Sequence, residues 1–199
     1  MKGEAIGDEY MTESITVKFR DINISELTKN QPSNITIYDS SGHILINELS
    51  LLAIIKGLEP SGILALGNEA KLVSERLQNS NNILVEHKIG ASDIAIGSPL
   101  RDGVIADIRG SYNIFRYLLQ SIKAIHPFGL IRPSVAVCTL SKMTSVEHDI
   151  MVSTLVQSGC KDIIIFNKSF QDAQYDIPNK YKFIIEISEC QICECQGDK

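Results

Sequence analysis

Between residues 134 and 166 the chain reads SVAVCTL, then TSVEHDIMVSTLVQSG, then KDIIIF, and no other stretch limits the fold so tightly. The outer two runs place β-branched apolar residues on consecutive positions, as suits strands buried on both faces. Between them Val146, Ile150, Thr154 and Leu155 recur at helical spacing, and Gly159 ends the pattern. Thr144 and Glu147 have the separation of a capping box, in which a hydroxyl and a carboxylate satisfy each other's orphan backbone donors. Strand, helix and strand in one sheet connect by a right-handed crossover. The expectation is therefore a parallel strand pair with a helix on one face, in an α/β domain of two or three layers.

Upstream, Ile114, Leu118, Ile122 and Ile125, joined by Phe115 and Leu119, predict a helix over 111–126 with one buried face. HPFGLIRP then breaks it with two prolines. Nearer the start, Asn34–Tyr38 and His43–Ile46 flank DSSG, a Gly-ended turn that suits a hairpin. Residues 48–57 and 62–67 flank Glu59, Pro60 and Ser61 and read as a second hairpin, followed by a short helix carrying Ala70, Leu72, Val73 and Leu77. Residues 48–98 thus form a small inserted α+β subdomain. The run KFIIEIS at 182–188 starts one more strand, with QICECQ as a candidate hairpin partner, and residues 1–20 read as a flexible tail.

Composition narrows the function classes. With 44% apolar and 22% charged residues in 199, the chain can bury a sizeable core and is not a disordered segment. A net charge of −5 with scattered Lys and Arg lacks the footprint of a phosphate-backbone binder, and the absence of Trp argues against a base-stacking platform, so no nucleic-acid partner is expected. The acidic opening segment does not resemble a secretory signal and no apolar run reaches membrane-spanning length, which points to the cytoplasm. Among the five cysteines, Cys190, Cys193 and Cys195 are spaced so that thiolates could share a zinc or an iron–sulfur cluster, or stand as free thiols along a strand. His43, His87, His126 and His148 show no shared metal spacing.

The segment SPLRDGVIADIRGSYNIFRYLLQSI resembles the signature of the bacterial actin-like MreB family, in which a Pro-basic-Asp-Gly-Val-Ile-Ala-Asp run leads into a long helix. GHILINELSLLAI is similar to that family's Gly-Ile-Val-Leu-Asn-Glu-Pro-Ser-Val-Val-Ala-Ile strand pair, and ALGNEAKLV to its Val-Gly-x-x-Ala-Lys segment. LIRPSVAVCTLSKMTSVEHDIMVSTLVQSGCKDIIIF follows the family's Arg-Pro strand, Thr-x-Val-Glu helix and next strand in order. Collinear motifs of this length are far more specific than a lone short one. The resemblance implies a single lobe of the actin/Hsp70-type, ribonuclease H-like ATPase fold, a mixed sheet flanked by helices, with 21–199 as the lobe and 181–199 as the start of a truncated second lobe. It also implies an open sheet edge at KFIIEIS.

The resemblance further implies where ligands would sit. In the family a phosphate-binding hairpin reads Asp-x-Gly-Thr. Here DINISELTKN stands in its place, with Glu26 for the Asp and Thr28, Lys29 and Asn30 as nucleotide-binding candidates, but without the glycine that admits backbone close to a phosphate. The second phosphate loop would follow KFII, where EISECQICECQ holds no glycine. Glu147 matches the family's glutamate that positions the attacking water, but with the phosphate loops altered its place as the partner of Thr144 in a cap is the favoured reading. Phe128, Leu130 and Ile131 match a loop that dips into the membrane. Asp102 and Asp107 form a candidate carboxylate pair, although Asp102-Gly103 is a common turn.

These observations yield a leading expectation: a cell-shape cytoskeletal protein with a degenerate nucleotide site, no cofactor and no ATPase activity. It would act by binding full-length filaments, by self-association, or at the inner face of the cell membrane. The alternatives are a functional ATP- and magnesium-binding actin-like filament protein, and a binding module with no filament role.

Overall fold

The computed structural model describes residues 32–58, 62–79, 93–125 and 132–189. Three sheets and four helices lie within them. The first strands, β1 (Ser33–Asp39) and β2 (Ile44–Leu49), form the expected antiparallel hairpin. The chain then turns at Ser50, whose N–H donates to the Ser33 carbonyl at 2.7 Å. The stretch expected as one strand over 48–57 is therefore split between two sheets.

Strands β3 (Leu52–Ile55), β4 (Ile63–Leu66) and β5 (Ile94–Gly97) make a three-stranded sheet in the order β4-β3-β5. Helix α1 (Gly67–Asn79) packs beside it, and Leu51, Ala53, Ala65, Ala70 and Ile94 form its own core. A two-stranded ribbon follows, β6 (Leu100–Arg101) with β7 (Val104–Ile105), leading into helix α2 (Ile108–Ser121). Helix α2 stops before the expected end at 126, because Ile122 has φ −87° and ψ 6° and Lys123 has φ 57°. The apolar period continues beyond the helix since Ala124 and Ile125 are buried as loop residues in the same core.

The predicted crossover is present. Strand β8 (Val135–Thr139), helix α3 (Ser145–Gln157) and strand β9 (Ile163–Phe166) form a parallel β–α–β unit, with Val135 paired to Ile163 and Cys138 to Phe166. A short helix α4 (Phe170–Ala173) precedes the last described strand, β10 (Phe183–Glu189).

Strand β10 departs from expectation. It is neither an open edge nor the first strand of a separate sheet, but the centre of the main one, whose order is β2-β1-β10-β8-β9. It pairs antiparallel with β1, Ser33 opposite Glu189, and parallel with β8, Phe183 opposite Val135. The cause is its own alternation. Ile185 and Ile187 are fully buried against α2 and α3, while Ile184 is buried on the opposite face with Ala136, Cys138 and Tyr181. A strand apolar on both faces is stable only where both faces are covered. The tail at 1–20 and the proposed return strand QICECQ lie outside the described residues.

A candidate site at the carboxyl ends of the parallel strands

Ligands of open α/β sheets bind outside the carboxyl ends of the parallel strands. Here those ends are Thr139 on β8, Glu189 on β10 and Phe166 on β9, and the Arg101-Asp102-Gly103-Val104 turn reaches the β8 end. Asp102 has φ 51° and Gly103 has φ 80°, so the Asp-Gly pair forms the left-handed two-residue turn that matches strand twist. The Gly103 N–H donates to Ser33 Oγ at 3.3 Å, and Ser141 Oγ donates to the Asp102 carbonyl. A Cβ at Gly103 would lie 2.5 Å from Ser141 Oγ and 2.6 Å from Thr139 Oγ1. The turn is thus packed shut by hydroxyls that are themselves paired.

Asp107 belongs to a different device. Its side chain accepts the Arg109 N–H at 3.0 Å as N-cap of α2. Pro99 locks the ribbon onto the helix, its carbonyl accepting from Ala106 N, Asp107 N and Ser111 Oγ. Asp102 and Asp107 therefore serve a turn and a cap and do not form an acid–base pair. The conspicuous PLRDGVIADIRG stretch is a ribbon and helix start.

Glu147 is held the same way. Its Oε2 accepts from Thr144 N at 2.7 Å and from Thr144 Oγ1 at 2.9 Å, while Glu147 N donates to Thr144 Oγ1 at 3.3 Å. These bonds, the backbone one foremost and the hydroxyl second, pull its carboxyl below the usual carboxylate range. Among the described residues at this end of the sheet, the Asp102-Gly103 turn is filled and Glu147 is bonded back onto the N-cap of its own helix.

Thr28, Lys29, Asn30, Phe128, Leu130, Ile131, Cys190, Cys193 and Cys195 lie outside the described residues, as do His87 and His126. Cys138 and Cys160 are buried, and burial pushes both thiols up to about 12. Among the described residues no three His, Cys, Asp or Glu side chains gather as a metal site, and no helix is long and apolar enough to cross a membrane.

A polar node on the far face of the sheet escaped sequence reasoning. Glu186 on β10 accepts from Tyr38 Oη at 2.8 Å and from Phe170 N at 2.8 Å, and the Tyr38 and Phe170 rings stack with centroids 4.3 Å apart. Burial first, then the bond to Glu186, raises the Tyr38 phenol to about 12. One signal was available: a glutamate amid the isoleucines of KFIIEIS must find donors if the strand is central.

Comparison with known proteins follows the same lines. The profile of the MreB/Mbl protein family matches residues 32–174. The cell shape-determining protein MreB of Pasteurella multocida is 30% identical over 142 residues, 68% of this chain and 35% of that protein. Mbl of Bacillus subtilis is 29% identical over 134 residues, 67% of this chain and 35% of its own length. Among solved structures, MreB5 of Spiroplasma citri bound to ADP superposes with a TM-score of 0.52 at 21% identity, over 71% of this chain and 37% of that one. Its AMPPNP-bound form gives a TM-score of 0.51 at 22% identity, over 71% and 38%. The chain spans about a third of the length of the relatives it matches, and the shared fold is the actin-like one.

Proposed function

The chain belongs to the MreB/Mbl protein family, and from that premise we propose that it serves the bacterial cell-shape cytoskeleton by binding filaments, without turning over nucleotide itself. The observation that carries this reading is the outer side of helix α3. Its inner side buries Met151, Thr154 and Leu155, yet Val146 is 65% exposed and Val156 38% on the other. These two valines flank the exposed Asp149 and Ser153 and offer an apolar contact to a partner on that side. That partner is an actin-like filament of full-length relatives, or further copies of this chain.

Two features support the absence of turnover. Both phosphate-loop positions lack glycine in the sequence, and Glu147 is engaged by Thr144. Filament binding also accommodates a weak membrane contact through Phe128, Leu130 and Ile131, multiplied by avidity along the filament at the cytoplasmic face of the membrane. Liposome sedimentation should weaken on Leu130→Ser with Ile131→Ser.

The decisive experiment is co-sedimentation with polymerised full-length MreB. The wild-type chain should pellet with filaments and Val146→Glu should stay in the supernatant while keeping its circular dichroism spectrum. Failure of the wild type to pellet favours a binding module with no filament role. The second reading, an ATP- and magnesium-binding filament protein, draws on the nucleotide-bound Spiroplasma citri structures. A rise in melting temperature with ATP and magnesium would favour it, since a ligand selective for the folded state stabilises by mass action.

A further inference from the structure

The main sheet ends on one side at β9, and among the described residues no strand covers its outer edge. All four β9 residues, Ile163 to Phe166, are apolar and half-buried. Val135 N donates to the Asp162 carbonyl at 2.8 Å. Main-chain groups alternate sides along a strand, so Asp162, Ile164 and Phe166 address β8 while Ile163 and Ile165 turn their N–H and C=O groups outward. Natural edges are blunted by bulges, prolines or charges. Strand β9 has none of these within its span, only Asp162 and Lys168 beyond its ends.

Those two residues stand equally far from Ile165, with opposite charge. We propose that the β9 edge receives a second copy of this chain, the two β9 strands pairing antiparallel about a twofold axis at Ile165. The five-stranded sheet of one copy then continues into that of the next. In this register Ile165 meets Ile165 through its outward N–H and C=O, Ile164 meets Phe166, and the Asp162 flank of each strand approaches the other's Lys168, in the bend that follows Phe166. A parallel pairing in register would instead set Asp162 beside Asp162 and Lys168 beside Lys168, so the charges favour the antiparallel arrangement. Asp162 also accepts from Ser134 Oγ at 3.0 Å, and Lys168 Nζ pairs with Asp176 within one copy. A carboxylate has a second oxygen and an ammonium three donors, so each keeps capacity for the partner. The opposite edge, β2, is a poorer candidate because the ladder is irregular beside Tyr38 and Glu48 is engaged by Asn68 of α1.

A contact this short belongs to the weak class of interfaces, with Kd on the order of 100 µM. Sedimentation equilibrium of the full chain should show a concentration-dependent dimer in that range. Asp162→Lys and Lys168→Asp each place like charges across the axis and should weaken it roughly tenfold. Their equimolar mixture restores opposite charges at every crossing and should recover the wild-type dimer. Ile165→Pro removes an outward N–H and none bonded to β8, so it should abolish the dimer should either charge variant fold poorly. A wild-type chain that stays monomeric throughout, or a mixture no stronger than either variant alone, overturns the proposal. Val146→Glu, which tests the α3 contact, should leave this dimer intact, so the two readings fail separately.

Discussion

Replacing Ile185 by alanine measures how deeply β10 is built into the sheet. Ile185 is 0% exposed, paired with Ile37 on one side and Val137 on the other, and packed against the core beneath α2 and α3. Losing three carbon groups from a buried site costs about 2.4 kcal/mol in transfer free energy. A cavity that cannot collapse between two paired neighbours raises this towards about 4 kcal/mol. The control is Ile44→Ala on β2, where the side chain is 61% exposed and the expected cost is below about 0.5 kcal/mol. In urea, with a slope near 2 kcal/mol/M, Ile185→Ala should lower the unfolding midpoint by about 1–2 M and Ile44→Ala by a few tenths. Equal midpoints for the two variants would refute the central placement, because a strand at an edge or in a loose second lobe would leave Ile185 as dispensable as Ile44.

Four further outcomes follow from the candidate site and its surroundings. Gly103→Ala should cost about 1–3 kcal/mol in thermal or urea unfolding, since it adds a side chain at positive φ against Ser141 and Thr139. Thr144→Ala should cost about 1 kcal/mol as a lost N-cap. With the cap intact, the Glu147 contribution should be present above the ordinary carboxylate range and be lost as pH falls through its lowered pKa, a dependence absent from Glu147→Gln. Cys138 and Cys160, raised to about 12, should resist thiol reagents in the native chain and react on unfolding; their contribution to stability is intact below the ordinary thiol pKa and is lost as pH rises from there towards 12.

What the sequence made legible was local. The β–α–β unit at 134–166 could be read because each boundary has its own signal: β-branched runs, Thr144 with Glu147, and Gly159. The Asp102-Gly103 turn and the Asp107 cap were likewise written in adjacent residues. The position of β10 was not, because strand order depends on pairing between residues as far apart as Ser33 and Glu189, and periodicity carries no information on that separation. The end of α2 was overrun for a related reason: Ile125 keeps the helical spacing but is buried by Gly159 and its surroundings after the helix has stopped. Glu147 showed both of its readings in sequence, and the geometry shows the cap, with Thr144 bonded to the carboxylate twice.

The two faces of the main sheet are covered unequally, and Glu186 is what makes the thinner cover hold. One face lies under α2 and α3, whereas among the described residues the other receives only the four-residue α4 and the turn leading to β10. A helix that short has no independent stability. Its tie to the sheet is the Phe170 N–H on Glu186 Oε1, beside the Tyr38 hydroxyl on Oε2. Replacing Glu186 by leucine strips acceptors from two donors at once and should cost about 2–4 kcal/mol. Replacing it by glutamine should cost far less, since the amide oxygen can serve Phe170 while its NH2 donates to a Tyr38 hydroxyl that has turned to accept. The two variants also separate the causes of the raised Tyr38 pKa. In Glu186→Gln the carboxylate's share disappears while burial, the larger cause, remains, so tyrosinate absorbance should show Tyr38 still titrating above its usual 10 but below 12. A return to 10 in that variant would mean that α4 had come away from the sheet and that the carboxylate, rather than hydrogen bonding alone, was needed to hold it.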